Sequence, residues 1–152
     1  YRGLSTTRTG GTVVLYMLDT NICIFLLGKK QKLYFDKLDN IQAKKQKIAI
    51  STIVLAELQF GVANSHKVDQ NQKDLNILLG KLDILSYDDK CAKYYGELRT
   101  TLKKLGRIIG GNDLLIASHA MAENAILITN NYKEFQQVTG LKTEYWENEK
   151  DL

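Results

Sequence analysis

Apolar residues follow two rhythms along this chain. Some stand in short unbroken runs, and others recur every three or four positions among polar residues. Short runs bounded by polar residues predict strands buried on both faces, whereas the wider spacing predicts helices with one face in a core. Strands are predicted at 13–18, 48–50, 84–86, 125–129 and 141–146. Helices are predicted between them. The first follows Asp19 and carries Ile22, Cys23, Phe25 and Leu26; the second lies within 28–47 and carries Leu33, Phe35, Leu38 and Ile41. A third follows Ser51 or Thr52, with Ile53, Leu55, Ala56, Leu58 and Phe60 at helical spacing, and a fourth covers 69–82 with Leu75, Leu78 and Leu79 inward. A long helix begins at Asp88 or Asp89 and runs to 105 through Ala92, Tyr95, Leu98 and Leu102; further helices cover 113–122 and 131–138.

End signals agree with this reading. Asp19, Ser51 or Thr52, and Asp88 or Asp89 are good N-cap residues, Gly61 and Gly106 stand near helix ends, and Lys103, Lys104 and Arg107 suit a helix C-terminus. Strands that alternate with helices call for right-handed crossovers, hence an α/β fold with a mainly parallel sheet of about five strands and helices on both faces. Ligands of such sheets sit beyond the carboxyl ends of the strands. Residues 1–12 are polar, glycine-bearing and without period, and are read as a leader, an expression remnant or a mis-assigned start without fixed structure. Met17 is a candidate initiator, although residues 13–16 would extend the first strand. Residues 13–152 are read as one domain.

Composition changes this picture little. The chain has 152 residues, 44% of them hydrophobic, with a net charge of +4 and a pI near 9.0. A modest positive excess fits an anionic partner such as a nucleic acid without requiring one. The two cysteines, Cys23 and Cys91, lack zinc-type spacing and read as buried small apolar residues, as in a reducing compartment. No apolar stretch is long enough to span a bilayer, and a cytoplasmic location without membrane attachment is expected.

The candidate chemistry lies where the predicted elements begin and end. Asp19 follows the run 13–18, Glu57 sits inside the amphipathic run after Thr52, Asp113 opens the helix 113–122, and Asn131 follows the run 125–129. Taken singly, Asp19 and Asp113 can be helix caps and Asn131 a turn residue. Together they place polar groups where separate elements of a parallel sheet converge. Three carboxylates brought together repel unless a cation joins them, and oxygen donors select a hard divalent ion.

Met-Leu-Asp-Thr-Asn at 17–21, Ser-Thr-Ile-Val-Leu-Ala-Glu-Leu-Gln-Phe-Gly at 51–61, Gly-Asn-Asp-Leu-Leu-Ile-Ala-Ser-His-Ala at 111–120 and Ile-Thr-Asn-Asn-Tyr-Lys-Glu-Phe at 128–135 resemble the motifs of PIN-domain ribonucleases, and more closely those of the VapC toxins of bacterial toxin–antitoxin pairs. The resemblance covers residues 15–146 in the family's order. It implies a PIN-like three-layer fold and a metal-dependent endoribonuclease, with Asp19, Glu57 and Asp113 binding Mg²⁺, for which Mn²⁺ substitutes. Asn131 completes the catalytic set, and Thr20, Asn21 and Thr129 are candidates to orient the acids through hydrogen bonds. Asn131 departs from the pattern, because many PIN domains have a fourth acid there and an amide carries no charge.

The resemblance also implies a structured RNA substrate such as tRNA, a homodimer, a neutralising VapB-type antitoxin, and operator DNA bound indirectly through that antitoxin. An apolar antitoxin segment is expected along Ile22, Phe25, Leu26, Leu58 and Phe60. The alternative is a PIN fold that binds RNA or a partner without cutting, for which Asn131 speaks. A phosphatase or receiver-like domain is disfavoured, since no GxxxxGK[ST] loop and no Asp-x-Asp follow the first strand. His66 is expected in solvent and His119 on a different side of its helix from Asp113. Lys103, Lys104 and Arg107 form a basic group that can hold RNA phosphates if it rims the cleft.

Overall fold

The structure, a computed structural model, describes residues 4–6, 12–28 and 31–147. Its elements in chain order are β1 (Leu4–Thr6), β2 (Thr12–Leu18), α1 (Thr20–Leu27), α2 (Gln31–Ala43), β3 (Lys47–Ser51), α3 (Thr52–Ala63), α4 (Val68–Leu79), β4 (Asp83–Leu85), α5 (Asp89–Lys104), α6 (Gly111–Ala122), β5 (Ile126–Ile128), α7 (Tyr132–Phe135) and β6 (Lys142–Glu144). Five strands form a parallel sheet in the order β4-β3-β2-β5-β6. The parallel α/β sheet expected from the sequence is therefore present.

Residues 4–6, within the stretch read as a leader, form β1. They pair antiparallel with residues 12–14, at the start of β2 and before the residues that pair with β3 and β5. Residues 1–3 and 7–11 lie outside the described residues.

Chain order and strand order together create a switch point. From β2 the chain steps to β3 and then β4 on one side, and it returns across the sheet to β5 and β6 on the other. Right-handed crossovers put α1 to α4 on one face and α5 to α7 on the opposite face. The crevice between the carboxyl ends of β2 and β5 is the position where such sheets bind ligands. Register places it: Leu18 lies opposite Ile128, and the amide of Asp19 donates to the carbonyl of Ile128 at 3.0 Å.

The core follows the apolar runs. Leu15, Met17, Leu18, Ile48, Ile50, Leu127 and Ile128 are buried, and Leu127 is enclosed completely. Burying such a side chain contributes about 2 kcal/mol before the cost of ordering it. Helix faces depart from the expected stripes in three places. On α2 the inward residues are Tyr34 and Leu38, while Leu33 is exposed. On α5 Cys91 takes the inward place in the first turn and Ala92 faces out. On α3 Val54, Leu58 and Val62 form the buried i, i+4 line, which turns Phe60 to solvent. Helix α4 stops earlier than expected, where Gly80 caps it with amide bonds to Asn76 and Leu78. Among the described residues no helix is long and apolar enough to cross a membrane.

Candidate active site

Asp19 ends the central strand and starts α1. It is buried, and its two carboxylate oxygens have separate tasks. Oδ1 accepts from the amide of Asn21 at 3.4 Å, capping α1, and Oδ2 accepts from the Thr129 hydroxyl at 2.5 Å. The cap reading of Asp19 is thus correct as far as it goes, but one oxygen is committed elsewhere. Thr129 is fixed in turn, because its amide donates to the Glu144 carbonyl of β6 at 3.1 Å.

Three consecutive residues after β5 do three different jobs. Thr129 holds Asp19. The Asn130 amide donates to the Tyr34 hydroxyl at 2.8 Å, and its oxygen accepts from the amides of Trp146 and Glu147 at 3.1 Å, which ties the end of the chain described here to α2. Asn131 donates from Nδ2 to Asp113 Oδ2 at 3.4 Å and from its backbone amide to the Thr129 hydroxyl at 3.0 Å. Asn131 therefore orients an acid.

Glu57, half-buried on α3, accepts from the Thr20 hydroxyl at 2.9 Å, which links α3 to the first residue of α1. Asp113 lies in the first turn of α6, whose N-cap is Gly110, so it is not itself the cap. The acids and Thr20, Asn21, Asn112, Ile24 and Phe60 line one cleft of about 690 Å³. Asn21 contributes its backbone amide to Asp19, as Thr20 contributes its hydroxyl to Glu57; of the expected orienting residues, each touches an acid.

Electrostatics records the convergence. Burial raises the Asp19 carboxyl, the Thr129 and backbone hydrogen bonds oppose that, and the charge of Glu57 adds to it. Asp113 is pushed up to about 6, first by burial and then by the charges of Asp19, Glu134 and Glu57. The charges of Asp19 and Glu57 thus reach Asp113 across the cleft that all three acids line.

Glu134 was missed in the sequence. It lies on α7, three residues after Asn131, and its Oε1 accepts from the Gly110 amide at 2.6 Å. Its charge raises Asp113, so it adds a further negative group near that acid while one of its oxygens is committed to Gly110. Its i, i+3 spacing from Asn131 was the available signal.

The expected partner groove needs correction. Ile22 and Leu26 are completely buried, because α1 is packed against α2, α3 and α4 and has little outward face. Phe25 is half-buried and meets the Tyr34 ring edge-on at 5.5 Å between centroids. Leu58 is buried at the base of a hollow, and Phe60 is exposed. Ile24, exposed, and Leu27, half-buried, are the apolar residues of α1 that face this hollow. They line that hollow of about 320 Å³ with Leu58, Gly61, Val62 and Glu57.

His66 is exposed, and His119 is buried away from the cleft, as expected. His119 Nδ1 is 2.7 Å from the Ser51 hydroxyl and Nε2 is 3.7 Å from Glu123. Cys91, His119 and Glu123 bring one possible metal-binding atom each within 4.8 Å of one another, a Cys/His association that sequence spacing did not reveal. Both cysteines are buried and unoxidised, and burial pushes the Cys91 thiol up to about 11. The group lies where α5 packs on α6, buried in the interior.

A PIN domain family model matches residues 16–141, most of the chain. The chain belongs to the PIN-domain family. Within it, the chain is 54% identical over 134 residues to "Ribonuclease VapC2" of Rickettsia felis, covering 88% of this chain and 99% of that protein. It is 37% identical over 131 residues to "tRNA(fMet)-specific endonuclease VapC" of Shigella flexneri, covering 86% and 97% respectively. Among solved structures, VapBC2 from Rickettsia felis bound to a DNA fragment from its promoter contains a chain that superposes with a TM-score of 0.84 at 54% identity, covering 88% of this chain and all of that one. The PIN fold expected from the sequence motifs is the fold observed.

Proposed function

We propose that this PIN domain is a metal-dependent endoribonuclease acting as a growth-inhibiting toxin, with Asp19, Glu57 and Asp113 as the metal-binding acids. The observation that carries this reading is that Asp19, Glu57 and Asp113, from three separate elements, line one solvent-open cleft at the β2/β5 switch point, where the charges of Asp19 and Glu57 add to burial in raising Asp113. The donor set fits a hard cation: it consists of carboxylate oxygens, and the open cleft leaves room for the waters that Mg²⁺ keeps. Mg²⁺ is the assigned ion and Mn²⁺ substitutes for it.

When bound, the ion lowers the pKa of a water and neutralises charge developing on the phosphate. The chain's own residues prepare for this. Thr129 and the Asn21 amide hold the Asp19 carboxylate in one orientation, and Thr20 does the same for Glu57. Asn131 steadies Asp113, and Glu134 adds negative charge beside it. A carboxylate at this site, raised toward neutrality, is suited to accept a proton from the attacking water. Hydrolysis by in-line attack leaves 5′-phosphate and 3′-hydroxyl ends and needs no 2′-hydroxyl nucleophile, consistent with both histidines lying away from the cleft. Glu134 beside Asp113 counts against the alternative of a non-catalytic binding module, whose support was the missing charge at Asn131.

The named relatives support an RNA substrate, with tRNA as the first class to test, and a VapB-type antitoxin as the neutralising partner. The promoter-bound relative supports operator DNA reached through the antitoxin. An apolar antitoxin segment fits the hollow beside Ile24, Leu27 and Leu58, with Phe60 exposed on the wall of the neighbouring cleft. That hollow shares Ile24 and Glu57 with the acidic cleft, so a segment running on past those two residues enters the cleft. A homodimer and a cytoplasmic location complete the reading. Incubating purified protein with total small RNA, with Mn²⁺ or with EDTA, and mapping the ends tests it. Cleavage in Mn²⁺ alone, lost in Asp19→Asn, is the expected result; metal-independent cleavage or none contradicts it.

A further inference from the structure

A second concave surface, linked to the acidic cleft through consecutive residues at the start of α6, has the opposite charge. Arg99, Leu102, Lys103, Arg107, Ile108 and Leu114 are the principal walls of a hollow of about 430 Å³, with three cations and no carboxylate among its lining residues. Its architecture follows from the end of α5. Arg99 and Lys103 stand one helical turn apart on the same face, where like charges cost a few tenths of a kcal/mol. Gly106, with φ of 68°, then reverses the chain through a left-handed turn, and the Arg107 amide returns to the Leu102 carbonyl at 2.9 Å. The turn brings the third cation back beside the first two. Lys104, which the sequence grouped with Lys103 and Arg107, does not line the hollow, because one residue's rotation turns it away.

The helix dipole accounts for Lys103 and Lys104 in the last turn of α5. It does not account for Arg99, a turn earlier. Arg99 is already oriented, with Nη1 donating to the Tyr95 hydroxyl at 3.2 Å and its guanidinium 5.9 Å from that ring's centroid. Arg107 is held by a 2.9 Å bond from Nη1 to the Gln137 carbonyl. The base of the hollow is apolar, formed by the buried Leu102 and Leu114, and Ile108 is 87% exposed at its lip. Leu114 follows Asp113 on α6, and Gly110 to Asn112 connect the hollow to the cleft.

We propose that this hollow is a phosphate subsite for the RNA strand, in which Arg99, Lys103 and Arg107 pair with backbone phosphates flanking the one at the acids, and Ile108 offers apolar surface to a neighbouring base or ribose. The proposal rests on the nuclease reading and adds where its substrate is gripped. Guanidinium forks match phosphate oxygens, and such contacts position a strand without reading its sequence. They also offset the repulsion that the four acids exert on an incoming polyanion.

The test is the salt dependence of binding of a short fluorescent single-stranded RNA to the full chain, in EDTA to prevent cutting. Each phosphate contact contributes about 0.7 to the slope of log affinity against log salt for single strands. Arg99→Gln with Lys103→Gln, which leaves the Arg107 anchor of the loop intact, should lower the slope by about 1.4. Adding Arg107→Gln should lower it by about 0.7 more. A control pair on other surfaces, Lys44→Gln with Lys73→Gln, should not change it. If the wild-type chain cuts RNA in Mn²⁺ and the double variant keeps the full slope, or the control pair lowers it equally, the subsite is refuted and the nuclease reading stands. If the wild-type chain neither binds nor cuts RNA, both are refuted.

Discussion

Replacing Asp113 with asparagine should stabilise the metal-free protein, the reverse of what most substitutions at a half-buried helix residue do. In the folded chain Asp113 is pushed up to about 6 by burial and by Asp19, Glu134 and Glu57, from an ordinary value of 3.8. A folded-state pKa above the unfolded one means that the folded state binds the proton more tightly. Stability therefore falls as pH rises from about 4 to about 6, and the full penalty is present above that window. For a fully enclosed group the shift would amount to about 3 kcal/mol. Asp113 is half-buried, and solvent screening reduces the penalty to about 1 kcal/mol.

Asparagine keeps an oxygen that can accept from Asn131 and removes the charge. In EDTA at pH 7.5, Asp113→Asn should melt about 3 °C above the wild type. The difference should shrink as pH is lowered from 6.5 to 4, because the wild-type carboxyl then protonates. Mg²⁺ should raise the wild-type Tm and not the variant's. Thermal denaturation followed by circular dichroism measures all three. A variant that melts at or below the wild type in EDTA, at every pH, would show that neither burial nor the neighbouring acids penalise the Asp113 charge, and the electrostatic argument would be lost.

Other substitutions probe separate parts of the account. Thr129→Val removes the hydroxyl that donates to the buried Asp19; it should cost about 1–3 kcal/mol in urea denaturation and lower RNA cleavage by about 10–100-fold. Asp19→Asn should abolish Mn²⁺-dependent cleavage while leaving far-ultraviolet dichroism unchanged; retained cleavage would remove Asp19 from the site. Ile24→Asp with Phe60→Asp, both at exposed positions, should release the antitoxin in co-purification, whereas retention would place the antitoxin elsewhere. Leu127→Ala, at a completely buried position of β5, should cost about 2–5 kcal/mol, read as a lower urea midpoint.

Much of this arrangement was legible in the sequence because local chemistry and global topology agree. Runs such as 13–18 have few other ways to be buried than as central strands, and Asp19, Ser51 and Asp88 all accept a backbone amide in the first turn of the helix they precede. Strands that run parallel carry Asp19 and Thr129 to the same edge of the sheet without any long-range information. What was not legible depended on how whole helices pack. Periodicity identifies an apolar stripe on α1, but α2, α3 and α4 surround that helix, so Ile22 and Leu26 belong to the core and Ile24 to the surface. Glu134 and Arg99 acquire meaning only from a neighbour brought by a turn: Gly110 for the first, Arg107 after Gly106 for the second. The approach of Cys91 to His119 depends likewise on α5 lying against α6.

A crystal of this protein soaked in Mn²⁺ and measured at a wavelength where manganese scatters anomalously tests the central claim most directly. The account predicts a peak within coordination distance of Asp19, Glu57 and Asp113, absent in Asp19→Asn. No peak there, or a peak confined to Cys91, His119 and Glu123, would contradict it.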